Sequence, residues 1–395
     1  MKTLKIKNKD ANKYLKGYPL LHKSSVASTG SDLKEGDLLS IISESHTFIG
    51  KGYYGLQNKG VGWVLTQDQK QTIDQAFFSN LLSKALAFRK TLYRDTETNA
   101  FRIFNGEGDG FGGLTIDKFD DYYLLTWYSE GAYHFKDYFL HAIKELLYFR
   151  GIYEKKRFGK QGRYIEEDEF VTGERGTFPL LVKENGVRFA VYFNEGAMVG
   201  VFLDQREVRQ RIREGYSEGK KVLNAFSYTG AFSVFSVLGG AAHTTSVDLA
   251  NRSYSKTIEH FKLNSIDYEA QNIVVEDVFK YFKYANRKNI LFDLIILDPP
   301  SFARSKKRTF RAEKDYTDLL KETIEITDHK GTIVASTNCA KFNMRKFRSF
   351  VDKAFVDSNR SYQITEEFSL PSDFKTHSAF KEGNYLKVLF LQLDL

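Results

Sequence analysis

Asp298, Pro299, Pro300, Ser301 and Phe302 follow one another directly and form the stretch with the clearest chemical potential. They come after a short apolar run at 294–297, which predicts a buried parallel strand. In an open α/β sheet a ligand binds just beyond the carboxyl ends of the strands. A carboxylate, two prolines that restrain the backbone and an aromatic ring suit a site that holds a flat substrate beside a cofactor. Taken alone, the same residues also fit an ordinary proline-containing turn.

Three more polar residues stand at the ends of earlier predicted strands: Asn224, Asp248 and Asp277. An acid such as Asp248 after the second strand can accept hydrogen bonds from both hydroxyls of a ribose. Leu249 beside it can cover one face of an adenine, and Asp277 suits the adenine amino group. Each acid by itself is more simply explained as a helix N-cap. Four polar residues on successive strand ends together predict a nucleotide-like cofactor.

The first of these strands leads into the turn Asn224-Ala225-Phe226-Ser227-Tyr228-Thr229-Gly230. Backbone N–H groups at the start of the helix that follows offer a ligand a place to approach. A nicotinamide dehydrogenase shares this scaffold but carries Gly-x-Gly-x-x-Gly in its first turn, whereas this turn has a single glycine. An Asp-Pro-Pro after the fourth strand also has no use in hydride transfer. The two features favour methyl transfer.

Alternating strands and helices position these residues from about residue 191 onward. The predicted strands are 221–224, 244–248, 273–275, 294–297 and 332–336, followed by a late antiparallel strand at 384–392. The predicted helices are 230–238, 252–263 and 278–283. This order predicts a doubly wound α/β sheet, in which right-handed connections bring the carboxyl ends of the strands to one side.

Residues 1–72 alternate short β-like runs with glycine turns, which predicts a small β-barrel; the runs are 38–42, 48–49 and 62–65. A lysine-rich N-terminal helix followed by Gly17-Tyr18-Pro19-Leu20 and this barrel resembles the PUA domain, an RNA-binding module.

Residues 73–190 are expected to form a small α+β connector domain, with a helix at 74–93 and strands at 114–116 and 122–128. The run at 106–113 is rich in glycine and mimics a phosphate-binding loop. Such a loop should follow a strand and open a helix, but this run leads into a β-rich segment. We therefore predict a turn there.

Composition is typical of a globular protein, with 42% hydrophobic and 27% charged residues. The single cysteine, Cys339, excludes an internal disulfide and suggests a reducing cytoplasm. No apolar stretch is long enough for a transmembrane helix, and the lysine-rich N-terminus lacks the apolar core of a secretory signal. We expect a cytoplasmic protein with neither a membrane partner nor a metal site.

The charge balance is basic, with 58 Lys and Arg against 50 Asp and Glu, a net charge of +8. Seven lysines face one acid in the first 23 residues. Two further clusters are Lys155, Lys156, Arg157, Lys160 and Arg163, and Arg304, Lys306, Lys307, Arg308 and Arg311. Any one cluster is more simply explained as a solvated surface. Together they favour a nucleic-acid partner, and the last places phosphate-binding charge at the rim of the suspected site.

Three stretches together resemble the bacterial 23S rRNA large-subunit methyltransferase I family: 203–206 (Leu-Asp-Gln-Arg), 224–230 and 298–302. The resemblance spans nearly the whole chain. It implies a PUA-like domain at 1–72, a connector at 73–190 and a Rossmann-like class I methyltransferase domain at 191–395. It also implies S-adenosylmethionine as cofactor, and 23S rRNA or a large-subunit assembly intermediate as partner.

The resemblance further implies which residues act. The cofactor would be held by Asn224, Phe226, Ser227, Tyr228, Thr229, Gly230, Asp248, Leu249, Asp277, Val278 and Asp298. The candidate catalytic residues are Asp298, Pro299, Pro300, Phe302 and Asn338. RNA would contact Arg206, Arg304, Lys306, Lys307 and Arg308. Many class I enzymes begin the first turn with an acid, and Asn224 matches this family's variant.

Methylation of cytosine C5 needs a thiolate that attacks C6, and Cys339 follows the fifth predicted strand. The family's cytosine-C5 members carry Ser-Cys-Ser there, and counting from Gly331 places Asn338 at the position of the cysteine. Because side chains alternate along an extended segment, this offset would turn the Cys339 thiol away from the base.

Guanine N7 already carries a lone pair, so the enzyme need only align it with the methyl group. The Asp298–Phe302 stretch followed by Ser305-Lys306 resembles the guanine-N7 branch of the family. We therefore favour guanine N7, with Phe302 stacking on a flipped guanine and Asn338 hydrogen-bonding its edge.

Two alternatives stay open. One is a cytosine-C5 methyltransferase with Cys339 as nucleophile. The other is a non-catalytic RNA-binding assembly factor with a silent methyltransferase fold, although the retained acids argue against it. The position of the modified nucleotide, the form of the substrate and the oligomeric state stay open too.

Overall fold

The structure is a computed structural model that describes residues 1–29, 32–158, 169–196, 199–304 and 309–394. The chain divides into two compact units. The first comprises Met1–Val182, Val191–Val199 and Ser372–Gly383, and the second comprises Lys183–Ala190, Gly200–Pro371 and Asn384–Leu395. The chain passes between the units several times, and the domain boundaries near residues 72 and 190 stay predictions. Within the described ranges, no helix is long and apolar enough to cross a membrane.

The first unit begins with a six-stranded sheet of strand order β2-β6-β5-β4-β1-β3. Its elements are β1 (Lys2–Ile6), α1 (Asn8–Leu15), β2 (Leu20–His22), β3 (Val26–Thr29), β4 (Leu38–Ser43), β5 (Phe48–Gln57) and β6 (Gly60–Thr66). The three predicted β-like runs lie in β4, β5 and β6. The lysine-rich segment forms α1 as expected, but β1 precedes it, because Leu4 and Ile6 alternate with more exposed residues and pack in the core of this sheet.

The remainder of the first unit contains a five-stranded sheet of order β11-β10-β9-β8-β7 with helices beside it. The strands are β7 (Ala100–Asn105), β8 (Leu114–Phe119), β9 (Tyr122–Trp127), β10 (Gly151–Lys156) and β11 (Glu169–Gly173). The helices are α2 (Gln75–Phe88), α3 (Lys90–Tyr93), α4 (Glu130–Tyr133) and α5 (Lys136–Leu146). The helix predicted at 74–93 is thus divided in two. The division falls at Arg89, whose buried guanidinium contacts Asp109 at 2.7 Å and the Asp373 carbonyl at 2.6 Å.

The glycine-rich run at 106–113 forms a turn between β7 and β8, as predicted. Its glycines serve close packing within the unit. A Cβ at Gly108 would lie 1.8 Å from the carbonyl oxygen of Lys375, and a Cβ at Gly112 would lie 2.2 Å from the Trp63 ring. The absence of side chains there allows other parts of the chain to approach, which is a structural use of glycine.

The second unit is built on a seven-stranded sheet of order β16-β15-β14-β17-β20-β22-β21. The hairpin of β12 (Leu180–Glu184) and β13 (Val187–Val191) precedes this sheet in the chain. The seven strands of the sheet are β14 (Lys221–Ala225), β15 (His243–Asp248), β16 (Asn272–Val275), β17 (Phe292–Leu297), β20 (Thr327–Thr337), β21 (Tyr362–Phe368) and β22 (Lys387–Leu393). Between β17 and β20, the strands β18 (Phe302–Arg304) and β19 (Thr309–Arg311) form a separate two-stranded sheet. The helices are α6 (Arg206–Gly215), α7 (Ala231–Leu238), α8 (Asn251–Leu263), α9 (Val278–Arg287), α10 (Ala312–Ile324) and α11 (Met344–Asp357).

The strands from β16 to β20 run parallel, and β22 is antiparallel to both β20 and β21. This confirms the doubly wound sheet. The edge strand β21 was not predicted. The strand order reverses between β14 and β17, which makes the crevice beyond these two strands the place where a ligand is expected.

Both faces of the central strands β14 and β17 are buried, as their apolar runs require. Leu223 and Ile295 pack on one face with α9, α10 and α11, whereas Val222 and Leu294 pack on the other. Ala225, at the end of β14, pairs with Leu297 at the end of β17 and with Val247 in β15. The residues that follow these strands therefore share one edge of the sheet.

Candidate active site

The turn after β14 has an unusual backbone. Phe226, Tyr228 and Gly230 adopt φ values of 61°, 50° and 75°. Positive φ is uncommon outside glycine, and a cluster of such residues is typical of functional turns. At Gly230 a Cβ would lie 2.5 Å from the Thr257 side chain of α8, so glycine allows the two helices to approach.

Asp248, at the end of β15, stabilises this turn. Its Oδ2 accepts a hydrogen bond from the Tyr228 backbone N–H at 2.9 Å, and its Oδ1 accepts one from Ala250 N–H at 2.9 Å. Leu249 follows with 54% of its surface exposed. A carboxylate held by backbone donors beside an exposed apolar side chain suits a ribose and an adenine.

Asn224 and Asp277 are engaged within the protein. Asn224 is buried, and its Nδ2 donates to Ser233 Oγ at 2.9 Å; that hydroxyl contacts Ser246 Oγ at 2.7 Å. Asp277 is the N-cap of α9, because its Oδ1 accepts from the Phe279 backbone N–H at 3.0 Å. The N-cap explanation therefore holds for Asp277, and the Asn224 amide ties β14 to α7.

Asp298, at the end of β17, lies in a different environment. Gln205 Nε2 donates to Asp298 Oδ2 at 3.2 Å and to Ser336 Oγ at 2.8 Å. Burial raises the pKa of the Asp298 carboxyl to about 6; the nearby Asp204 adds to the rise, and hydrogen bonds from Ser336 and Gln205 oppose it. The carboxylate is thus desolvated and short of positive charge.

The residues after Asp298 form an exposed rim. β18 and β19 pair as a hairpin, in which Phe302 lies opposite Arg311. Phe302 is 56% exposed, and the Arg311 guanidinium lies 6.0 Å from its ring centroid. Pro299 is buried and Pro300 is exposed. An exposed ring on a short hairpin beside a carboxylate can stack on a flat substrate.

Asn338 and Cys339, which follow β20, face opposite ways. Asn338 is exposed, and its Oδ1 accepts a hydrogen bond from Ser301 Oγ at 2.5 Å. Cys339 is 5% exposed and belongs to the hydrophobic core of the second unit. The structure therefore brings Asn338, and not Cys339, to the surface beside the Asp-Pro-Pro turn.

The expected RNA contacts divide into three groups. Arg304 is exposed on β18. Lys306, Lys307 and Arg308 lie outside the described residues. Arg206, at the start of α6, is only 4% exposed, and this burial argues against the predicted contact with RNA phosphates.

Comparison with known proteins agrees with this geometry. Residues 155–374 match the family model of S-adenosylmethionine-dependent methyltransferases, and residues 4–67 match that of PUA-like domains. A Bacillus subtilis (strain 168) protein named ribosomal RNA large subunit methyltransferase YwbD is 59% identical over 394 residues, which cover 99% of this chain and 100% of that protein. This chain belongs to the ribosomal RNA large subunit methyltransferase family.

Ribosomal RNA large subunit methyltransferase I of Aeromonas salmonicida (strain A449) is 30% identical over 96% of both chains. The crystal structure of SMU.776 complexed with SAH superimposes with a TM-score of 0.92 at 37% identity, covering 99% of this chain and 100% of that one. The predicted family is confirmed, and so are the PUA-like and methyltransferase domain types, whereas the connector domain stays a prediction. This methyltransferase is an S-adenosylmethionine-dependent enzyme, so the silent assembly factor is not favoured.

The residues at the sheet edge fit S-adenosylmethionine, which supplies a methyl group on a sulfonium. Asp248 and Leu249 would hold the ribose and adenine, with Asp277 and Val278 at the adenine edge. On the opposite side of the crevice, next to Asp298, Gln205 Oε1 is buried and has no hydrogen-bond partner within the described ranges. A buried acceptor without a donor beside a carboxylate fits the cationic end of the cofactor.

Gln205 is the site residue that sequence analysis did not name. It lies in the Leu-Asp-Gln-Arg stretch, in which only Arg206 was predicted as a site residue, because it is basic. Its contacts reach Asp298 and Ser336, which are 93 and 131 residues away along the chain. The family stretch itself was the signal that could have found it.

Proposed function

We propose that this methyltransferase modifies large-subunit ribosomal RNA at N7 of a guanine, by positioning and without a covalent intermediate. The observation that carries the proposal is the arrangement after β20, where Asn338 is exposed beside Ser301 and Cys339 is packed in the core. Alignment of a lone pair with the methyl group is sufficient for N7, whereas C5 methylation needs an accessible thiolate.

An RNA substrate is supported by the charge and by the domains. The relatives bear the names of large-subunit rRNA methyltransferases, and the N-terminal match is to a PUA-like domain. Arg304 and Arg311 are exposed on the hairpin that carries Phe302. Basic side chains around an exposed aromatic ring suit phosphate contacts around an unstacked base.

The side chains at the rim have complementary roles in this proposal. Phe302 stacks on a guanine that has left its helix. Because Asn338 Oδ1 accepts from Ser301, the Nδ2 group of Asn338 can donate to the base. Guanine presents two acceptors on this edge, N7 and O6, whereas adenine and cytosine each present an amino donor. A hydrogen bond from Asn338 to O6 would favour guanine and leave N7 for the methyl group.

The cytosine-C5 alternative requires the Cys339 thiol to reach the base. The thiol is buried in the core, and the Cys339 backbone N–H donates to Thr337 Oγ1 at 3.3 Å. Cysteines in such surroundings usually serve as small apolar residues.

The test uses 23S rRNA without this modification, supplied both as naked RNA and as partial large-subunit particles. Each is incubated with enzyme and isotope-labelled S-adenosylmethionine, and the digested nucleosides are identified by mass spectrometry. We expect labelled 7-methylguanosine.

The variants Cys339→Ala and Asn338→Ala, which change adjacent residues, are compared in this assay. The cysteine variant should keep its activity, and the asparagine variant should lose about tenfold, the size of one lost hydrogen bond. Labelled 5-methylcytidine that disappears in Cys339→Ala would overturn the proposal in favour of cytosine C5.

A further inference from the structure

The hydrogen bonds around Asp298 form a small network in which the Gln205 amide donates twice. Gln205 Nε2 donates to both the Asp298 carboxylate and Ser336 Oγ. The Ser336 side chain lies close enough to Asp298 to lower the pKa of its carboxyl. The buried Tyr316 hydroxyl donates to the Ser336 backbone carbonyl at 2.7 Å, so its proton is not directed at Asp298 or Gln205.

The acceptors in the same network are in excess. Gln205 is 3% exposed, yet its Oε1 accepts no hydrogen bond from any described residue. Beside it stands the desolvated Asp298 carboxylate, with the Asp204 carboxylate near enough to disfavour its charge and Arg209 near enough to favour it. A buried acceptor left unsatisfied is unfavourable by itself. A ligand group that completes this network must therefore donate hydrogen bonds, and a positive charge would suit it best.

The order of the strands indicates which end of the cofactor lies here. Across the sheet the polar strand ends follow the order Asp277, Asp248, Asn224 and Asp298, from β16 to β17. Asp248 and the exposed Leu249 suit the ribose and adenine on one side of the switch point. A cofactor that extends across the crevice from there brings its methionine part to β17, and that part carries an α-ammonium group with three N–H donors.

We propose that Gln205 Oε1 and the Asp298 carboxylate together receive the α-ammonium group of S-adenosylmethionine. Gln205 is then a cofactor-binding residue with two tasks. Its amide N–H groups orient Asp298 and Ser336, and its carbonyl oxygen binds the ligand. The competing occupant is an amino group of the target base, which would use the same acceptors from the other side of the site.

The test measures binding in the absence of RNA, so its result is independent of which base is methylated. Isothermal titration calorimetry compares S-adenosylhomocysteine with its des-amino analogue, in which hydrogen replaces the ammonium group and the carboxylate is kept. The wild-type protein should bind the analogue about ten- to a hundredfold more weakly, as expected for hydrogen bonds to a charged group.

Gln205→Met removes the amide but keeps the length of the side chain. We expect it to weaken S-adenosylhomocysteine about ten- to a hundredfold while the des-amino analogue changes by less than about threefold, so the preference for the ammonium disappears. Gln205→Glu keeps an acceptor at this place and should retain the preference. Gln210→Met, at a partly exposed position further along α6, is the matched control and should behave like wild type.

Three results would overturn the proposal. Equal weakening of both ligands in Gln205→Met would assign the residue a purely structural role. Unchanged affinity of Gln205→Met for S-adenosylhomocysteine would indicate that an amino group of the target base, and not the ammonium group of the cofactor, binds Gln205 Oε1. If Gln205→Met does not fold, the comparison of the two ligands on the wild-type protein still decides, because equal affinities there would exclude an ammonium subsite.

Discussion

On one side of the switch point, at the ends of β14, β15 and β16, the polar side chains are engaged with the protein itself. Asn224 binds Ser233, Asp248 binds two backbone N–H groups, and Asp277 caps a helix. On the other side, at the ends of β17 and β20, acceptors remain in excess around Asp298 and Gln205, and Phe302 and Asn338 are exposed.

The two sides of this sheet edge therefore have different roles. The β14–β16 side holds a turn with several positive φ values in a fixed shape, which preorganises a surface for the cofactor. The β17–β20 side retains groups whose interactions are incomplete within the described chain, and such groups are the ones that a ligand or a substrate can complete. On the first side, a substitution of a group that is fully engaged within the protein, such as Asn224, should therefore affect mainly stability. Substitutions on the second side should affect binding and methylation.

The largest effect is expected for Asp298→Ala. In our proposal the Asp298 carboxylate forms a buried charge pair with the α-ammonium group of the cofactor. Removing one partner of such a pair costs about 3 kcal/mol or more, which corresponds to a loss of more than about a hundredfold in kcat/KM. Because the Asp298 carboxylate is desolvated, its removal should leave the thermal midpoint unchanged or slightly higher. A radiolabel methylation assay and differential scanning calorimetry measure the two quantities. Wild-type activity in this variant would reject the site.

Phe302→Ala should weaken RNA binding and leave the cofactor unaffected. Stacking of one base on an aromatic ring contributes about 1–3 kcal/mol, so KM for the RNA should rise roughly five- to a hundredfold. The ring is 56% exposed and supports little of the core, so the stability should not change. Phe302→Tyr keeps the ring and is the matched control. A loss of affinity for S-adenosylhomocysteine in Phe302→Ala would contradict the assignment of this ring to the RNA substrate.

The affinity for S-adenosylhomocysteine should depend on pH. The pKa of Asp298 is raised to about 6, and the ionised form attracts the ammonium group. Below this value the dissociation constant should increase, approaching about tenfold per pH unit. The ligand-free protein should instead lose stability as the pH rises from about 4 to about 6, because the folded state holds this proton more tightly than the unfolded chain. Calorimetric titrations between pH 5 and 8 test the first statement, and Asp298→Asn should give a flat profile.

The smallest effect is expected on the β14–β16 side. Asn224→Ala removes a buried donor to Ser233 and should lower the free energy of unfolding by about 1–2 kcal/mol. Methylation by the folded fraction should stay within about threefold of wild type, since the amide faces the protein. Urea unfolding provides the measurement, with the exposed Asn272→Ala as control. A large loss of cofactor affinity without loss of stability would show that Asn224 contacts the ligand.

Much of the methyltransferase sheet could be predicted because its signals are local. A buried parallel strand is an apolar run in the sequence, and the turn that follows begins at a polar residue. The predictions at 221–224, 244–248 and 294–297 agree with β14, β15 and β17 to within two residues. The glycine-rich decoy at 106–113 was also identified from its local context, since a strand follows it.

Other features could not be read in this way. Arg89 divides a continuous helical pattern because its partners are Asp109 and the Asp373 carbonyl. The hairpin of β18 and β19 lies within a basic run that has no strand signature. Arg206 was predicted to contact RNA, but it is buried, as are Val208, Arg209 and Ile212 of the same helix. For Arg89 the deciding partners are distant in the sequence.

The sequence by itself determined the fold type, the family and the set of polar residues at the strand ends, because these follow from local patterns of apolar runs, turns and motifs. Only the tertiary structure decided how each polar residue is used. Asn338 and Cys339 are adjacent in the chain, and the packing of β20 exposes the first and buries the second. Gln205 acquires its orphaned carbonyl oxygen because its amide N–H groups are taken by residues more than ninety positions away. Hydrogen-bond satisfaction is a property of three-dimensional neighbours, and no local pattern carries it.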